Sequence, residues 1–83
     1  MKVEVKLYAS LGKYLPEGAK ANVISLDVAD GTTPMDIIDD WGVPSESCHL
    51  VLINGNYIEP SARASHALKE GDALAIWPPV AGG

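Results

Sequence analysis

Apolar and polar residues alternate over residues 2–9. Val3, Val5 and Leu7 fall on one side, and Lys2, Glu4, Lys6 and Tyr8 on the other. A period of two predicts a half-buried strand with one wet face. The alternation returns over residues 22–28, where Ile24, Leu26 and Val28 share a face. Residues 10–20 between them hold Gly12, Pro16 and Gly18, which predicts a loop with room for one helical turn around residues 11–15. Asp30-Gly31 turns the chain. Thr33-Pro34 then starts a helix: the Thr33 hydroxyl can accept an orphan backbone N–H, and Pro34 at the first helical position has none to lose. Asp36 suits the positive end of the helix dipole. Pro34, Ile37, Ile38 and Trp41 form a stripe at i, i+3, i+4 and i+7, so Trp41 is expected in the core. Gly42 stops the helix after about two turns, with Pro44 close behind. The apolar run at residues 50–53, then Asn54-Gly55, then Tyr57-Ile58 predicts a hairpin, because both central positions need positive φ. Residues 61–68 read as irregular or as one helical turn. Residues 69–72 form a turn, and residues 73–77 a last strand with Leu74 and Ile76 on one face.

The order is therefore β-β-α-β-β-β. One helix covers one face of a sheet, so the expected architecture is α+β, with a mixed four- to five-stranded sheet packed on one main helix and its other face partly exposed. That arrangement is a β-grasp. Residues 1–77 are expected to form this domain, and residues 78–83 a flexible tail.

At 83 residues the chain suffices for one small core, and its 47% apolar content fits a folded domain. Eleven acidic against six basic residues give a net charge of −5. This argues against nucleic acid and against an anionic membrane surface, whose binding requires basic side chains. No apolar run approaches the length of a membrane span. The N-terminus opens directly on a strand pattern rather than an export signal, so the expected location is the cytoplasm.

Side-chain chemistry is sparse. His49 and His66 have no partner at metal-ligand spacing, so no metal site is expected. Cys48 beside His49 suggests a nucleophile and its base, but neighbours in a strand point to opposite faces. A small buried or surface thiol is the simpler reading. Asp36, Asp39 and Asp40 share one helix face, for which solvation is the plainer role and a cation site the other.

The other end of the chain reads differently. Trp77-Pro78-Pro79-Val80-Ala81-Gly82-Gly83 adds little to a core. The proline pair holds the backbone extended, and two residues without side chains suit a narrow channel in a partner. An ionised α-carboxylate at Gly83 is able to attack the α-phosphorus of ATP in an activating enzyme, giving a glycyl-adenylate. A sulfur nucleophile then displaces AMP to leave a thiocarboxylate, or an amine displaces it to leave an amide.

Leu52-Ile53-Asn54-Gly55, Leu68, Glu70-Gly71-Asp72 and the Pro-Pro-Val-Ala-Gly-Gly ending stand in one register across the chain. With these residues the sequence resembles the MoaD/ThiS sulfur carriers, which are ubiquitin-like; its ending is most similar to that of the small subunit of molybdopterin synthase. The resemblance implies that Gly83 is adenylated by a ubiquitin-activating-type enzyme using ATP and then carries the sulfur as a thiocarboxylate. It also implies that Trp77, Pro78, Pro79, Val80, Ala81 and Gly82 dock into the large subunit, forming a heteromer that donates sulfur to build molybdopterin. No bound cofactor is expected, and no activity from the chain alone. Trp77 stands where this family usually has Phe, and Lys13 where it often has Arg. Related carriers serve thiamin, tungsten-cofactor and cysteine synthesis, and some archaeal relatives become attached to lysines. Beside these readings stands a plain interaction module with an inert tail. The exposed sheet face, with Trp77, Val80 and Leu52, is the expected partner surface.

Overall fold

The computed structural model describes residues 1–79. Five strands, β1 (Lys2–Leu7), β2 (Val23–Asp27), β3 (Leu50–Ile53), β4 (Asn56–Tyr57) and β5 (Ala73–Trp77), form one sheet in the order β2-β1-β5-β3-β4. β1 and β5 run parallel at its centre, and the other neighbours are antiparallel. The two central strands carry the deepest residues: Val3, Val5, Leu7, Leu74 and Ile76 are essentially inaccessible. Their alternate side chains point to the opposite face, as the period of two requires.

The single helix, α1 (Pro34–Asp40), packs Pro34, Ile37 and Ile38 against the sheet. Its start is a capping box. The Thr33 hydroxyl accepts from the Asp36 amide at 3.2 Å, while the Thr33 amide donates to the Asp36 carboxylate at 2.9 Å. Such a cap is worth about 1 kcal/mol, and it gives Asp36 a structural use that needs no cation. At the other end Gly42, at φ 71, turns the chain left-handed. The Gly42 amide donates to the Asp39 carbonyl and the Val43 amide to the Ile38 carbonyl, the paired bonds of a Schellman stop. Val43 and Ile38 are both buried in the core, which anchors that exit. Trp41 departs from expectation. It caps the helix and is half-buried, packing against the core rather than within it.

Two boundaries also shift. β1 ends at Leu7 because Ala9 takes φ 51, and a 3-10 helix over Ala9–Tyr14 follows, buries Leu11 and realises the predicted helical turn. Residues 61–68 open with a short 3-10 turn, Pro60–Ala62. No helix among the described residues is long and apolar enough to cross a membrane.

The predicted hairpin turn and the turn before β5 prove to be one assembly. Asn54 and Gly55 sit at φ 52 and 84. The Asn54 side chain donates to Asp72 at 2.8 Å and accepts from the Ala73 amide at 2.9 Å, and the second Asp72 oxygen accepts from the Lys69 amide. Glu70 and Gly71 bond to the backbone of Lys2. Asn54-Gly55 and Glu70-Gly71-Asp72, distant in sequence, are thus tied together at one end of the sheet.

Candidate functional site: the apolar sheet face

The face away from α1 collects the side chains opposite the core positions of each strand. Trp77 projects from β5 onto this face, and Tyr8 stacks on it with ring centroids 4.2 Å apart and planes 5° from parallel. The Tyr8 amide donates to the Ile76 carbonyl, so the stack is fixed by backbone as well as by rings. Leu50 stands across the ladder from Trp77 and is 40% exposed. Leu52 lies between Ala75 and Tyr57, and Tyr57 is 50% exposed. Lys6, paired with Ala75, and Glu4, paired with Ala73, put charges on the same face and bound this patch. A contiguous group of large apolar side chains left partly in water on one sheet face is a candidate contact surface.

Of the predicted contact residues, Trp77 and Leu52 lie on this face. Pro78 and Pro79 follow β5 at its edge, half-buried and exposed respectively. Val80, Ala81, Gly82 and Gly83 lie outside the described residues. Tyr8, Leu50 and Tyr57 were not singled out by sequence. The signal was present for Tyr8, which the alternation puts on the wet face, but only the parallel pairing of β1 with β5 brings it to Trp77.

Cys48 and His49 lie ahead of β3 rather than in a strand, and they differ in burial. Cys48 is buried with its thiol 3.6 Å from the Pro44 carbonyl, whereas His49 is exposed. Burial pushes the Cys48 thiol up from its ordinary pKa, Arg63 pulls the other way, and Glu46 adds to the rise. The protonated thiol is a poor nucleophile. His66 is exposed, and among the described residues no group of three His, Cys, Asp or Glu is gathered for a metal.

Arg63 is the residue that sequence reasoning missed. It is only 4% exposed. Its Nε donates to the Ile58 carbonyl at 3.1 Å, Nη1 to Cys48 at 2.7 Å and Nη2 to His49 at 3.3 Å. The guanidinium thereby closes the gap between the start of β3 and the chain leaving β4. No side-chain spacing announces this role, because its partners are backbone carbonyls.

A five-stranded mixed sheet with one helix across one face defines a ubiquitin-like β-grasp protein. The model of the Mut7-C ubiquitin family matches residues 1–82, and the chain belongs to that family. SAMP1 from Haloferax volcanii is 27% identical with a TM-score of 0.69, each chain being covered over 100% of its length. Small archaeal modifier protein 1 from Methanosarcina acetivorans is 26% identical with a TM-score of 0.61, over 99% of this chain and 96% of that one. A chain of the complex of subunits 1 and 2 of the molybdopterin-converting factor from Helicobacter pylori shares the fold at 23% identity and a TM-score of 0.62, with 100% of both chains covered. No curated protein matches the sequence. The ubiquitin-like β-grasp expected from the sequence is thus the observed fold.

Proposed function

We propose that this protein is a ubiquitin-like sulfur carrier, with Gly83 as its working end, serving as the small, sulfur-donating subunit of a molybdopterin synthase. The observation that carries the reading is the junction at Trp77. A Pro-Pro-Val-Ala-Gly-Gly segment follows directly from the end of β5, beside the stacked Tyr8 and Trp77 rings and the exposed Leu50. The Gly83 carboxylate oxygen attacks the α-phosphorus of ATP in a ubiquitin-activating-type enzyme, and pyrophosphate leaves. A hydrosulfide-level sulfur then adds at the acyl carbon, AMP leaves, and the thiocarboxylate remains. Trp77 through Gly82 direct that end into the large subunit, in the manner the subunit 1 and 2 complex of the Helicobacter pylori factor suggests by fold. The catalytic groups belong to the partners, in agreement with the scarcity of reactive side chains here.

A second reading is favoured by the 27% and 26% identity to the archaeal modifier proteins: a modifier whose activated Gly83 is captured by a lysine amine, giving an isopeptide. Both readings use the same adenylate and differ in the acceptor. Intact-mass measurement of the protein from its own host, with fragmentation, separates them. One sulfur-for-oxygen exchange at Gly83 supports the carrier, and isopeptide-linked species support the modifier. An unaltered Gly83 even after incubation with ATP and the host's activating enzyme rejects both.

The contact face has its own test. Leu50→Asp puts a charge at a 40% exposed position opposite Trp77. It is expected to weaken heteromer formation by at least about tenfold, as loss of an interface anchor does, with little change in melting temperature. Val80→Asp is expected to act in the same direction. Unchanged affinity in titration calorimetry for both variants would remove this face from the interface.

A further inference from the structure

At the edge of the sheet formed by β4, a cleft of about 570 Å³ opens between Met35 and Ile38 of α1, Tyr57, Pro60 and Arg63, with Glu46 at its wall. Its size falls in the range of small-ligand sites. We propose that this cleft binds a carboxylate, with Arg63 receiving the charged group and the apolar wall receiving the body that carries it.

The argument begins with the charge. A guanidinium stays protonated and has five N–H donors. Arg63 commits three of them, all to backbone carbonyls. Two N–H groups remain uncommitted among the described residues, and no carboxylate accepts from it there. Buried charges are normally paired, since carbonyl dipoles compensate only part of the lost hydration. The bond from Nη2 to His49 is the longest of the three, at 3.3 Å, and the only one not fully buried. The Tyr57 ring lies 6.0 Å from the guanidinium carbon and forms an apolar wall beside it.

The walls then restrict the ligand. Met35, Ile38, Tyr57 and Pro60 favour an apolar body next to the anion. Glu46 in the same cleft and the net charge of −5 oppose a dianion more than a monoanion. A planar carboxylate also matches the fork of two N–H groups. These features select a singly charged carboxylate over a phosphate. Two sources present that chemistry, a small organic acid and a Glu or Asp side chain of a partner protein.

The test uses the full chain and four small probes of defined charge: benzoate, benzyl alcohol, benzamidine and inorganic phosphate. The readout is the Arg63 Nε–H and His49 amide resonances. Benzoate is expected to shift both saturably and to bind at least about tenfold more tightly than benzyl alcohol, the margin of a charge-assisted hydrogen bond. Arg63→Lys, if folded, should narrow that margin; the wild-type comparison stands without it. Equal binding of benzoate and benzyl alcohol overturns the proposal, as does tighter binding of phosphate or benzamidine. Shifts centred on Trp77 instead of Arg63 also overturn it. The blocked peptide acetyl-Val-Glu-Val-amide distinguishes the sources. Binding tighter than benzoate supports a partner's side chain, and weaker binding supports a small acid.

Discussion

Deleting Gly83 alone is expected to abolish activation of this protein while leaving its fold intact. The deletion makes Gly82 the terminus and withdraws the carboxylate by one residue, about 3.5 Å of extended chain. In-line attack on the α-phosphorus tolerates far less, since a misplacement of about 1 Å can cost 10²-fold. ATP–pyrophosphate exchange with the host's activating enzyme should therefore fall more than about 100-fold. The buried core closes at Ile76, so the melting temperature is expected to stay unchanged. A companion variant, Gly82→Ala, keeps the carboxylate in place and adds one methyl group, so it separates channel width from reach. Exchange that survives loss of Gly83 would mean that Gly82 can be activated in its place, whereas partner binding and cellular function that survive the loss of exchange would leave the protein an interaction module whose tail takes no part in chemistry.

What the sequence disclosed follows a physical division. Local signals were fully legible. Val3, Val5 and Leu7 declared the buried face of β1, Thr33-Pro34 and Gly42 declared both ends of α1, and Asn54-Gly55 declared a two-residue turn. Each depends on neighbours within a few residues. Long-range pairing was not legible. Nothing in residues 2–9 says that they run parallel to residues 73–77, yet that pairing brings Tyr8 onto Trp77 and completes the exposed face. The Asn54 to Asp72 bond joins two motifs that the sequence presents as separate turns. Trp41 shows the limit of periodicity itself: the stripe gave its direction correctly, but at the helix C-cap it is only half-buried against the core. For the tail, the composition of residues 78–83 carries the reading, and its chemistry awaits the acceptor.

Arg63→Met is expected to be strongly destabilising, although Arg63 is a charged residue on no periodic stripe. Methionine fills much of the volume but offers no donor to the carbonyls of Ile58, Cys48 and His49. A buried acceptor left unpaired costs about 1–3 kcal/mol. The bonds to Ile58 and Cys48 are fully buried, and the His49 carbonyl lies nearer to water. Removing the guanidinium also removes its own desolvation cost, which offsets part of the loss. The net expectation is about 3 kcal/mol, a large fraction of the roughly 5–15 kcal/mol that holds a domain folded. In a domain of this size it corresponds to a fall in melting temperature of about 12–24 °C. Arg63→Lys separates charge from geometry. A single ammonium keeps the positive charge but cannot span carbonyls on three residues, so it should recover less than half of the loss. Urea unfolding measures both, with the midpoint moving and the slope unchanged. A loss below about 0.5 kcal/mol for the methionine variant, the range of an ordinary surface substitution, would mean that water reaches these carbonyls. Full recovery by lysine would assign the stability to charge alone. The intermediate result ties it to the fork, the same geometry that leaves two N–H groups over for a ligand.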